Sequence, residues 1–67
     1  MNIDYPATII RIRAELDLSQ TELAEILGVS FTSVNRWENG IYQPTKAAKK
    51  KIEVFCEKHN IKVEMQK

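Results

Sequence analysis

The chain is poor in the residues that do covalent chemistry. Its 67 residues include one cysteine, one histidine, one tryptophan, two glycines and two prolines. A lone Cys56 closes no internal disulfide, and a lone His59 builds no metal site. No Ser/His/Asp or Cys/His constellation stands out, and no glycine-rich phosphate loop. An enzyme is therefore the weakest reading, and no cofactor is expected. No apolar run approaches the roughly 20 residues of a membrane span, and the start Met-Asn-Ile-Asp lacks the basic region of a signal peptide. The expectation is a soluble, cytoplasmic chain with no membrane partner. Charge of one sign is also not in excess: 10 Lys plus Arg stand against 9 Asp plus Glu, a net charge of +1. Taken as an average, that argues against a strong phosphate binder.

What is present is globular in character, with 43% hydrophobic and 28% charged residues. A chain this short holds one domain, residues 1–67, and buries only roughly 60% of its unfolded surface. Asp4 ahead of Tyr5-Pro6 reads as a helix N-cap followed by a first-turn proline. Tyr5, Ile9, Ile12 and Leu16 then share one face, so the spacing predicts helix 1 over 5–16. Ser19-Gln20-Thr21-Glu22 has the spacing of a capping box. The apolar stripe Leu23, Ala24, Ile26, Leu27 follows and Gly28 stops it, giving helix 2 over 20–27. Ser30 caps helix 3 over 31–39, with Val34 and Trp37 as its inner face and Gly40 as its stop. Only Gly28, Val29 and Ser30 separate helices 2 and 3, and so short a glycine-containing turn is the mark of a helix-turn-helix, here over 19–40. Thr45 caps a fourth helix that runs to about Lys58, within a C-terminal element 45–59 whose inner face is Ala48, Ile52, Phe55 and Cys56. Asn60 suits a left-handed end. The tail 60–67 alternates apolar and polar through Ile61, Val63 and Met65, which predicts a short extended segment. The opening Met and the charged end Gln66-Lys67 read as a small protein in its own right.

The run from Leu18 through Ser19-Gln20-Thr21-Glu22-Leu23-Ala24-Glu25-Ile26-Leu27-Gly28-Val29-Ser30 to Val34, Trp37-Glu38-Asn39-Gly40 and Pro44 resembles the Cro/repressor class of helix-turn-helix domains, the XRE family. The resemblance covers residues 9 to 52. It implies an all-α, small four-helix (at most five-helix-like) lambda-repressor-type domain with a short extended C-terminal tail. It also implies a bacterial or phage-type regulator that binds double-stranded DNA, with helix 3 in the major groove and helix 2 across the backbone. The family's usual short fifth helix is replaced here by the alternating tail.

A helical wheel agrees. Phe31, Thr32, Asn35 and Arg36 share the arc opposite Val34 and Trp37. Arg36 suits guanine O6 and N7, Asn35 suits adenine N6 and N7, and Phe31 and the Thr32 methyl suit a thymine methyl. The resemblance places base contacts at Phe31, Thr32 and Arg36, although phenylalanine departs from the polar residue often found at the first of these. It places a phosphate contact on Gln20, supported by Ser19, where a helix N-terminus already favours an anion. Ser30 is similarly placed. The resemblance adds a second flank at Tyr42, Gln43, Thr45 and Lys46, which Lys49 and Lys50 extend. It also pairs Arg13 of helix 1 with Glu38 of helix 3 in a partly buried salt bridge.

One recognition helix reads only a few base pairs. Specificity then calls for two half-sites about a helical turn apart, hence a homodimer on a pseudo-palindromic operator. The candidate dimer contacts are the helix 4 surface with Ile61, Val63 and Met65, or a contact formed only on DNA. A second class of function is an antitoxin-like or adaptor module whose main ligand is a protein, anchored on Phe31 and Tyr42 or joined by the tail as an edge strand. The charge distribution favours DNA. Residues 1–29 carry Arg11 and Arg13 against Asp4, Glu15, Asp17, Glu22 and Glu25, a net −3. Residues 30–51 carry Arg36, Lys46, Lys49, Lys50 and Lys51 against Glu38, a net +4. The remainder is neutral, so the near-zero total conceals a basic block on the segments that the motif assigns to DNA.

Overall fold

Asp4 starts the first helix. Its backbone is extended, and its carboxylate accepts a hydrogen bond from the Ala7 N–H at 3.1 Å. Pro6, in the first turn, has no N–H to leave unsatisfied. The computed structural model describes residues 2–66. Met1 and Lys67, the two ends of the 1–67 domain reading, lie outside the described residues. Helix α1 covers Tyr5–Leu16 and ends at Asp17, in the left-handed conformation at φ 54°. Helix α2 covers Gln20–Leu27 behind a complete capping box. The Ser19 hydroxyl accepts from the Glu22 N–H at 3.0 Å, and the Glu22 carboxylate accepts from the Ser19 N–H at 2.8 Å. The Ser19 N–H bond, and after it the Ser19 side chain, holds the Glu22 carboxyl below the usual carboxylate range. Gly28, at φ 71°, closes α2 and opens the turn.

Helix α3 covers Phe31–Glu38, capped by Ser30. It is one residue shorter than the 31–39 read from sequence. Asn39 is its C-cap, because Gly40 at φ 71° turns the chain out of the helical path. Helix α4 covers Lys46–Lys58, with Thr45 and His59 as its caps and Asn60 at φ 56° just beyond.

The four helices close on one core. Ile9 and Ile12 come from α1, Leu23 and Leu27 from α2, Val34 and Trp37 from α3, and Ile52, Phe55 and Cys56 from α4. Helix α3 packs against both α1 and α2. Two stripe residues read as inward are not. Ile26 is 53% exposed, since Leu23, Ala24 and Leu27 already fill the inward arc of α2 and Ile26 lies about 100° from Leu27. Leu16 is 36% exposed, because the last turn of α1 runs past the edge of the core, where Leu18 packs instead. Thr8 is buried completely, although its type gave no warning. Its hydroxyl donates to the Asp4 carbonyl at 2.7 Å and accepts from the Glu64 N–H at 3.0 Å, so the buried polar atom is satisfied on both sides.

The second of those bonds ties the tail to α1. The tail is extended and pairs with the N-terminal segment through an antiparallel Ile3–Met65 bridge. Asp4 N–H donates to the Glu64 carbonyl at 2.7 Å, and Gln66 N–H donates to Asn2 at 2.8 Å. Arg11 adds a 2.7 Å ion pair to Glu64. Ile61 is buried and Val63 packs on the core, which leaves Met65 outside. Ile61 and Val63 are thus used inside the chain, which takes them out of the candidate dimer surface and leaves Met65 and the exposed face of α4. Among the described residues there is no strand longer than that single bridge, and no helix is long and apolar enough to cross a membrane.

Candidate nucleic-acid interface

The Gly28–Ser30 turn sets α3 beside the N-terminus of α2. Val34 and Trp37 anchor α3 inward, so Phe31, Thr32 and Arg36 face out, with Phe31 half-exposed. The Arg36 guanidinium lies 5.0 Å from the centre of the Tyr42 ring, a cation–π contact that joins α3 to the loop after it. The sequence reading placed both residues near DNA but did not join them.

Asn35 lies on the same arc but is half-buried, and both ends of its amide are occupied. Its Nδ2 donates to Gln20 Oε1 at 3.2 Å, and its Oδ1 accepts from Asn39 Nδ2 at 3.2 Å. Gln20 Nε2 in turn donates to Glu38 Oε1 at 3.1 Å. Arg13 Nη1 stands 2.9 and 2.8 Å from the two Glu38 oxygens, and Arg13 Nε donates to the Leu18 carbonyl at 3.0 Å. The five side chains form one polar chain across α1, α2 and α3: Arg13, Glu38, Gln20, Asn35, Asn39. Such a network, satisfied at each step, fixes the angle between the two helices of the motif. Asn39 was read only as the end of the helix. Its position four residues after Asn35, on one helix face, is the signal that places it in the network.

The other expected contacts are distributed unevenly. Ser19 and Ser30 cap α2 and α3, so their hydroxyls stand at the two helix N-termini, where free N–H groups and the dipole favour anions. The Ser30 hydroxyl accepts from the Ser33 N–H and shares a 3.0 Å bond with the Ser33 hydroxyl. Tyr42, Gln43, Thr45 and Lys46 are exposed along the loop and the start of α4. Thr45 caps α4 by accepting from the Ala48 N–H at 3.2 Å. Lys49 is half-buried, with its ammonium 5.4 Å from the centre of the Tyr5 ring. Lys50 does not join this group. It lines a groove between the C-terminal end of α2 and α4, to which no α3 residue contributes.

A tight glycine turn, an outward polar helix and two capped N-termini beside it define a DNA-binding helix-turn-helix domain. Residues 9–59 match the family model described as Helix-turn-helix, and the chain belongs to that family, in its Cro/XRE form. The chain is 36% identical over 50 residues to Antitoxin PezA of Streptococcus pneumoniae serotype 4. That match covers 75% of this chain and 30% of the relative, so the chain spans well under half of that relative's length. No solved structure matches.

Proposed function

We propose that the protein is a sequence-specific regulator of transcription, a repressor that places α3 in the major groove of double-stranded DNA in the cytoplasm. The observation that carries this is the outward face of α3, offered beside two capped helix N-termini and within the chain's only strongly basic block. Phe31, Thr32 and Arg36 meet base edges. Asn35, engaged at both ends, acts chiefly by fixing Gln20, and it reads adenine only where it exchanges those bonds. Gln20, Ser19 and Ser30 hold phosphates on one flank of the half-site. Tyr42, Gln43, Thr45 and Lys46 hold the other, with Lys49 and Lys50 adding longer-range attraction. A homodimer on a pseudo-palindromic operator supplies the specificity that one helix lacks. Selection of bound sites from random duplex DNA, read with the solution mass of the complex, tests this. A palindromic site bound by two copies is expected, and no enrichment over random DNA at moderate salt overturns it.

The similarity to an antitoxin favours a second reading, in which the main ligand is a protein and Phe31 and Tyr42 are its anchors. Salt separates the two. DNA affinity falls steeply with ionic strength, whereas contact through apolar anchors barely changes.

A further inference from the structure

The groove between α2 and α4 has an apolar lining that DNA binding does not use. It holds about 380 Å³, and Leu27 and Phe55 form its floor. Ile26 and Val54 flank it at 53% and 48% exposure. Lys50, Lys51 and Lys58 complete it, and among the described residues no carboxylate lines it. The Lys51 ammonium lies beside Gly28, at the negative end of the α2 dipole. Two parallel features therefore run along the groove, an apolar track and a row of positive charge.

We propose that this groove is a docking site for an amphipathic helix of a partner protein, one with an apolar stripe and acidic flanks. A groove between two helices takes the apolar face of a third, through anchors at i, i+3 or i+4 and i+7. Charge complementarity selects the acidic form: three lysines attract carboxylates and repel a basic helix. The same lysines argue against a second copy docked groove to groove, since a twofold contact sets like charges against each other. Contact of the groove with another face of a second copy does not close, and generates open chains. Nucleic acid meets the lysines but gains nothing from Ile26 and Val54. The site lies at the opposite end of α2 from Gln20, so the proposal stands whether or not α3 reads DNA.

The test is a heteronuclear NMR titration of the whole chain with three synthetic peptides. One carries leucines at i, i+4 and i+7 flanked by glutamates. The second replaces those glutamates with lysines, and the third scrambles the first. Saturable binding below about 1 mM is expected for the acidic peptide alone. Its shift changes should centre on Ile26, Leu27, Lys50 and Val54. Val54→Asp should weaken it at least about tenfold while leaving the spectrum of α3 unchanged. If that variant does not fold, Ile26→Lys serves in its place. Lys50→Glu combined with Lys58→Glu should transfer preference to the lysine-flanked peptide. Equal binding of the acidic and basic peptides, shifts centred elsewhere, or no binding overturns the proposal. So does sedimentation that shows the peptide-free chain self-associating through a contact that Val54→Asp abolishes.

Discussion

Gln20 and Asn35 join the two helices of the motif side chain to side chain, with the Asn35 amide donating to the Gln20 carbonyl at 3.2 Å. Gln20 stands at the first position of α2 and Asn35 midway along α3, so the bond spans the turn that sets their angle. A residue that presents Gln20 differs in its consequences from one that reads a base. Asn35→Ala removes two side-chain hydrogen bonds in a half-buried place and should cost about 1 kcal/mol of stability. Sites selected by this variant should keep the wild-type sequence while overall affinity drops. Relaxed preference at one operator position would instead assign Asn35 to base reading.

Arg13 and Glu38 carry more of the stability. Both Glu38 oxygens accept from one guanidinium nitrogen, and the side chains are 29% and 10% exposed. Surface pairs contribute under about 1 kcal/mol, and loss of one member of a buried pair costs about 3–5. This pair lies between those limits. Glu38→Ala should lower stability by about 2–3 kcal/mol, and the double-mutant cycle with Arg13→Ala should show coupling of 1 kcal/mol or more. Urea unfolding measures this as a lower midpoint at unchanged slope. Single variants whose effects simply add would show that the contact carries no energy.

The helices were legible because their punctuation is chemical. Asp4, Ser19, Ser30 and Thr45 each cap from the side chain, and Gly28 and Gly40 each take a positive φ. Local rules suffice for such features. Ile26 shows where they stop: the pattern marks it apolar, but which flank of α2 meets the core depends on helices far away in sequence. Thr8 and Glu64 show the same for polar residues, as their 3.0 Å bond joins positions 56 apart. The outward arc of α3 could be read because Val34 and Trp37 fix its inward side. The employment of Asn35 could not, because its partner Gln20 is on another helix.

Arg36 should determine one base. Arg36→Ala should relax selection at a single guanine position and cost about 1–3 kcal/mol of affinity. Tyr42 holds the guanidinium through its ring, so Tyr42→Phe should leave base preference intact. Tyr42→Leu should weaken specific binding by about 0.5–1 kcal/mol without changing the preferred base. Lys46→Ala should reduce affinity evenly across sequences and lower the salt slope by about 1. Fluorescence anisotropy on the selected site and on single-base variants separates these patterns. Loss of base preference in Lys46→Ala, or its retention in Arg36→Ala, would reverse the assignment.

Tyr5 provides a test of the fold at high pH. Burial, then the 2.7 Å hydrogen bond its hydroxyl donates to Glu53 and the negative charge there, push its pKa up to about 12. An unfolded tyrosine ionises near 10. The native state therefore keeps its proton where the unfolded state loses it. Its contribution to stability is complete below pH 10 and disappears as pH rises through 12. Absorbance titration should show a tyrosinate step near 12 that is missing in Tyr5→Phe. Glu53→Gln should move that step down, yet keep it above 10, because burial is the larger cause. Unfolding free energy, taken as wild type minus Tyr5→Phe, should be flat to pH 10 and then fall. A difference that stays flat to pH 12 would mean that the Tyr5 hydroxyl is not held by Glu53, and that the junction between α1 and α4 is open to water.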